Sequence, residues 1–221
     1  MRIAKITAVA GSAALLLTAC GGSPLDGKTG TEVAEAAAKA LEEAGSVQVA
    51  GTIENGGEEG DIDLFLSGEN ASGTLTFGGV DVELIQVDGA AYMQAPAEFW
   101  TSFGMPEEAT SMFEGQWVIV PADAASEFEE FSLDGFLDQL RNPESPIQDD
   151  VEEGEVDGKE VVIVKQEDGS ELSVANDDDA YPLEITQKGD TKGTLTFSRF
   201  GDDEEITAPD DALDLTELMG S

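Results

Sequence analysis

The sequence predicts an α+β domain: a single, strongly curved antiparallel sheet of about ten strands, with an N-terminal helix and a helical insert covering its concave face. Three observations predict it. Apolar and polar residues alternate with period two in many short segments, the pattern of antiparallel strands wetted on one side. An alanine-rich amphipathic segment precedes the first of them. Nine of the 14 aromatic residues crowd between Tyr92 and Phe136, where the spacing is helical instead of alternating. So many one-sided strands in one modest domain must curl. The aromatic insert is the only segment apolar enough to cover the face they would leave.

The chain opens on a different kind of segment. Arg2 and Lys5 precede an apolar run of 14 residues, Ile6 to Ala19. A membrane-spanning helix needs about 20, and no later stretch is long and apolar enough to span. Leu17-Thr18-Ala19-Cys20 closes the run as a lipoprotein signal does: basic start, apolar stretch, small residues, then a cysteine to be lipidated. Residues 1–19 are therefore expected to be a signal peptide. Residues 20–30 would be the lipidated Cys20 and a flexible Gly/Ser/Pro tether, and residues 31–221 the domain. Lipidation places a diacylglycerol thioether on the Cys20 sulfur. Each buried methylene contributes about 0.8 kcal/mol, so two or three chains hold firmly. The expected location is the outer face of the cytoplasmic membrane. Cys20 is the only cysteine. Once it is modified, no thiol remains for a disulfide, a thiolate metal site or a nucleophile.

The elements follow in order. Thr31 to Ala44 reads as a helix: Val33, Ala37, Ala40, Leu41 and Ala44 share one face, and Glu35 and Lys39 are spaced as an i,i+4 pair. Thr29-Gly30-Thr31-Glu32 offers a capping box, and Gly45 a stop. Alternating strands then run through Val47–Ile53, Ile62–Leu66, Leu75–Phe77 and Val80–Leu84. Ile85 and Val87 switch phase, which predicts a bulge, and Asp88-Gly89 predicts a hairpin turn. In the insert, Glu98 to Gly104, Glu107 to Phe113, Ala124 to Phe131 and Leu133 to Leu140 read as short helices. One strand, Gln116 to Val120, interrupts them. Strands return at Glu152–Val156, Val161–Lys165, Leu172–Val174, Leu183–Ile185 and Leu195–Phe197, with hairpin signals at Asp157-Gly158 and Asp168-Gly169. Gly73-Thr-Leu-Thr-Phe77 recurs as Gly193-Thr-Leu-Thr-Phe197 and reads as shared strand chemistry.

Charge and missing residue types exclude whole classes of function. Ten basic residues face 48 acidic ones, for a net −38. Without Arg2 and Lys5 the balance is eight against 48, or −40. Such a surface repels nucleic acid and anionic headgroups, so membrane association falls to the lipid anchor. The acidic runs at residues 149–153, 177–179 and 202–205 lack the D-x-[DN]-x-[DN]-G calcium-loop pattern and read as solvated surface. No metal or cofactor is expected. There is no histidine, which removes Ser-His and Cys-His nucleophiles and histidine metal sites. No nucleophile elbow, Walker loop or dinucleotide fingerprint occurs, and the chain is not expected to be an enzyme. Lys159, Lys165, Lys188, Lys192 and Arg199 stand on the later strands and are expected to pair with neighbouring acids.

Several of these features together resemble a known group. They are the Leu17–Cys20 signal, the alanine-rich helix ending in Gly45-Ser46-Val47, the strand to Ile53, and the Val87-Asp88-Gly89…Tyr92 hairpin. Gly115-Gln116-Trp117-Val118 and Asp157-Gly158 add to them. The chain resembles actinobacterial lipoproteins of the LppX/LprG type over nearly all of its mature length. The resemblance implies a half-barrel sheet closed by helices, similar to the LolA and LolB carriers, with an acylated lipid or lipoglycan as ligand in an apolar cavity. The strong acidity departs from that family and weighs against anionic lipids. The apolar residues expected to line such a cavity are Leu64, Leu75, Phe77 and Leu84 on the sheet. On the insert they are Phe99, Trp100, Met112, Phe131, Phe136 and Leu140. The alternative is an anchored binding or scaffold module in which the same side chains simply fill a core. Either form is expected to be a monomer with no nucleic-acid partner.

Overall fold

The computed structural model describes residues 23–214 apart from 103, 104, 106, 122–124, 126, 127, 129, 130 and 190. The signal segment and Cys20 therefore lie outside the described residues, as does most of the helix expected at 124–131.

Two antiparallel meanders make the sheet. The first is β1 (Ser46–Asn55), β2 (Glu58–Ser67), β3 (Asn70–Phe77), β4 (Val80–Val87) and β5 (Ala90–Gln94). The second is β7 (Ile147–Val156), β8 (Lys159–Gln166), β9 (Glu171–Ala175), β10 (Pro182–Lys188) and β11 (Thr191–Ser198). Antiparallel pairing of β1 with β11, from Gln48↔Ser198 to Asn55↔Thr191, joins them. Two short strands, β6 (Trp117–Ile119) and β12 (Leu213–Asp214), extend the β5 edge. Among the described residues the sheet thus has twelve strands, in the order β12-β6-β5-β4-β3-β2-β1-β11-β10-β9-β8-β7. The expected count of about ten is corrected upward. Two residues of β12 carry no readable alternation, and they pair with β6 in parallel, the one exception to the antiparallel pattern.

Turn chemistry explains the tight connections. Asp88 and Gly89 (φ 52° and 77°), and Asp157 and Gly158 (φ 51° and 80°), each supply two consecutive left-handed residues, as a two-residue hairpin of matching twist requires. The phase change at Ile85 does not form a bulge. Register runs unbroken through Ser72↔Ile85 and Ala71↔Gln86. Gln86 keeps the inward position between two small partners, Ala71 and Ala91, so Ile85 and Val87 turn to the other face. Register shifts occur instead between Ile147 and Val151 and between Pro182 and Glu184. At the second of these, Leu183 joins Val161 and Ala175 in a small separate cluster.

At three glycines on the inward rows a side chain would strike the backbone of the neighbouring strand. Gly51, Gly73 and Gly193 have φ of 154°, 149° and 148°. A Cβ at each would stand 2.0, 2.1 and 2.1 Å from the carbonyl oxygens of Thr194, Asp63 and Thr52. Only glycine tolerates both the dihedral and the contact, and such positions are where a sheet can be bent. The repeated Gly-Thr-Leu-Thr-Phe runs therefore share more than strand propensity: each begins at one of these glycines.

Helix α1 (Gly30–Ala44) buries Val33, Ala34, Ala37, Ala38, Ala40 and Leu41. Its alanines, and Gly30 against the Gln148 carbonyl, let it lie close on the strands. Lys39 meets Glu43 at 3.5 Å, so its i,i+4 partner is Glu43 and not Glu35. The capping box is present: Glu32 N donates to Thr29 Oγ1 at 3.3 Å, and Thr29 N donates to the Glu32 carboxylate at 2.9 Å. That backbone bond, then the Thr29 hydroxyl, holds the Glu32 carboxyl below its ordinary range. The stabilisation is present above the ordinary glutamate value and is lost as pH falls through the lowered one. Thr29→Ala is expected to cost about 1 kcal/mol near neutrality. In paired melts, the deficit should shrink on acidification; a deficit that grows at low pH would contradict this linkage.

Among the described residues three more helices follow: α2 (Ala97–Ser102), α3 (Glu107–Phe113) and α4 (Leu133–Arg141). The main core joins α1 and α4 to the inward residues of β1–β4 and β8–β11. A second core, with Phe99, Trp100, Phe113, Met93, Val82 and Val118, joins α2 and α3 to β4–β6. The insert is therefore divided between two cores.

Candidate functional site

Helix α4 begins where Ser132 Oγ accepts the Gly135 N–H at 3.1 Å, an N-cap of ordinary chemistry. Leu133, Phe136, Leu137 and Leu140 form its buried face. The Phe136 ring meets Phe197 of β11 edge-to-face at 5.8 Å. Arg141 Nη2 donates to the Glu42 carboxylate of α1 at 2.6 Å. Both partners of that ion pair are well exposed, so it contributes under about 1 kcal/mol, and apolar packing does most of the anchoring. After α4 the chain is stapled to the β8–β9 hairpin: Asp168 N donates to Ser145 Oγ at 3.1 Å, and Glu167 N to the Pro146 carbonyl at 3.0 Å.

Between α4 and the sheet lies a cleft of about 510 Å³. Its floor is aliphatic: Ile53, Ile62, Leu195, Ile185, Leu172 and Val164, from β1, β2, β11, β10, β9 and β8 in turn. Ala34 of α1, Ile147 of β7, and Phe131, Phe136 and Leu140 close the opposite side. The rim is polar. Asp138, Gln139, Asn142 and Glu144 stand on the helix side, and Gln166, Asp168, Gln187 and Thr191 on the hairpin side. Ser170 is buried beneath the rim, where its hydroxyl donates to Asp168 Oδ2 at 3.0 Å and accepts from Lys188 N at 3.0 Å. The volume falls within the ~300–1,000 Å³ of small-ligand sites. An aliphatic floor under a hydrogen-bonding rim suits a molecule with one apolar and one polar end. A shallower hollow of about 410 Å³, lined by Gly51, Glu54, Glu59, Lys192 and neighbours, has Ile53 as its only large apolar wall.

No known family model and no curated protein matches the sequence. Solved structures match the fold. LprF from Mycobacterium bovis superposes with a TM-score of 0.55 over 83% of this chain and 99% of its own, at 15% identity. The Mycobacterium tuberculosis lipoprotein LppX superposes with a TM-score of 0.52 over 80% of this chain and 98% of its own, at 13% identity. The chain has an LppX/LprG-type fold. At these identities the likeness concerns the fold alone.

The ten residues expected to line a cavity are distributed over four places. Phe131, Phe136 and Leu140 stand at the cleft. Leu64, Leu75 and Leu84 are buried in the main core, and Phe99 and Trp100 in the second, where Trp100 Nε1 donates to the Ala95 carbonyl at 3.2 Å. Phe77 and Met112 are 45% and 62% exposed. The cleft floor drawn from β8–β11 was not among the expected lining residues. Its signal was present in Val162/Val164, Leu172/Val174 and Leu195/Phe197, whose alternation marks an inward row. Three of the five later basic residues meet acids. Lys165 reaches Glu152 at 2.7 Å and Lys188 reaches Glu171 at 3.8 Å, while Arg199 reaches Asp202 and Glu204 at 3.0 and 2.8 Å. The hydrogen bond to Glu152 raises the Lys165 value, and those to Glu204 and then Asp202 raise that of Arg199. Among the described residues, no group of three or more acidic side chains is placed to hold a metal ion, and no helix is long and apolar enough to cross a membrane.

Proposed function

We propose that this chain is an extracytoplasmic lipoprotein, anchored to the membrane through Cys20, that binds or transfers an acylated lipid in the cleft between sheet and helices. The observation that carries the reading is the cleft itself, with an aliphatic floor and polar rim. The sheet acts as a half-barrel wall and α4 as its cover. Acyl-chain burial, at about 25 cal/mol per Å² of apolar area, drives binding, and displacement of α4 opposes it. The fold shared with the lipoprotein LppX and the Leu17–Cys20 signal support the same reading. It assigns no catalytic residue.

A filled-core anchored module is the second reading, favoured by one observation: Leu64, Leu75 and Leu84 are at most 1% exposed and belong to the main core. Native mass spectrometry of the protein extracted from its own membrane separates the two. The carrier is expected to retain an acylated species, released on unfolding. A folded protein without any lipid would sink the carrier reading. Cys20→Ser is expected to abolish lipidation and move the protein out of the membrane fraction; a processed mutant that stays bound would remove the anchor assignment.

A further inference from the structure

The polar rim has a sign. Every charged side chain among the described residues lining the cleft is a carboxylate: Asp138, Glu144 and Asp168. Of the cations near it in sequence, Lys192 lines the other hollow and three more are drawn to acids. Arg141 bonds Glu42 of α1 at 2.6 Å, Lys188 meets Glu171 at 3.8 Å, and Lys165 meets Glu152 at 2.7 Å. The remaining rim groups are neutral donors and acceptors, chiefly the amides of Gln139, Gln166 and Gln187 and the Thr191 hydroxyl. Around them the chain carries −38 overall.

We infer that the cleft selects amphiphiles with an uncharged, hydroxyl-bearing headgroup and rejects anionic ones; this rests on the lipid-binding reading above. A phosphate at the rim would stand within about one Debye length, ~8 Å at physiological salt, of the rim carboxylates, with no guanidinium or ammonium among the lining residues to pair with. A glycerol or sugar hydroxyl meets no such opposition and has amides that both donate and accept. The inference therefore concerns the headgroup, while the aliphatic floor fixes only the tail.

The test uses the delipidated full-length protein and two probes with one tail, 1-palmitoylglycerol and 1-palmitoyl lysophosphatidic acid, which differ by a phosphate. Calorimetric titration below their aggregation thresholds is expected to show the lysophosphatidic acid binding about ten-fold or more weakly at ~0.15 M salt, with the gap narrowing near 1 M. Asp138→Asn combined with Glu144→Gln is expected to narrow the gap between the probes, raising affinity for the anionic one by more than for the neutral one; an unchanged gap would overturn the role of these carboxylates. Asp168 is kept because it holds Ser170. Equal or tighter binding of the anionic probe to the unaltered protein would overturn the selectivity. Binding of neither probe would overturn the cleft reading beneath it.

Discussion

Gly193→Ala is expected to unfold the protein at much lower urea than the parent, with a loss of about 3 kcal/mol or more. Two penalties combine. The residue sits at φ 148°, which side chains on an L-residue rarely adopt. Its Cβ would also fall 2.1 Å from the Thr52 carbonyl oxygen and 2.8 Å from Ile53 Cα. Those atoms are backbone of β1, the strand that joins the two meanders, so they cannot turn aside as a side-chain tip can. Single domains are stable by only about 5–15 kcal/mol, so the loss is a large share of the total. Gly78→Ala is the comparison. Gly78 also has positive φ, 57°, but nothing lies within 4 Å of its Cβ position. It should lose only the left-handed penalty, about 1–2 kcal/mol. Equal losses at the two sites would show that close strand approach is not what requires Gly193.

Phe136→Ala is the second large effect. The ring is 6% exposed, packs edge-to-face on Phe197, and also faces the cleft. Truncating a buried phenylalanine costs about 3–5 kcal/mol, and here the low end applies because one side of the ring already borders open space. Since the Phe136 ring packs α4 onto Phe197 of β11, the variant should also bind an amphiphile that the wider cleft can hold. A saturating neutral monoacylglycerol is then expected to recover more melting temperature in the variant than in the parent, because a ligand binding only the folded state stabilises it. An equal shift in both would detach Phe136 from the binding site and leave it a core residue only.

Much of the local structure was legible before any coordinates. Thr29, Glu32 and Gly45 act within one turn of helix α1, and the Asp-Gly pairs act within one hairpin, so neighbouring residues suffice to specify them. The inward rows were legible too, because the period of two holds wherever one face of a strand is wet. The bulge expected at Ile85 was absent because inward Gln86 faces alanines on both neighbouring strands, a fact no single strand contains. The expected cavity wall included Phe99 and Trp100 of the insert. Phe99, Trp100 and Phe113 instead pack on one another at 5.3 and 5.7 Å between ring centres and close a second core. The open volume lies over isoleucine, leucine and valine of the sheet, with Ala34 of α1 and Phe131, Phe136 and Leu140 opposite.

By itself the sequence determined the strand and helix types, the capped end of α1, the tight turns and the negative sign of the surface, since each depends on residue chemistry within a short reach of chain. Only the tertiary structure decided that β1 and β11 would join two meanders through Gly51 and Gly193. It alone decided that the insert would divide between two cores and that a cleft would remain over the later strands. Those outcomes depend on how side-chain volumes from distant segments add up at one place, and residue spacing along the chain does not record that sum.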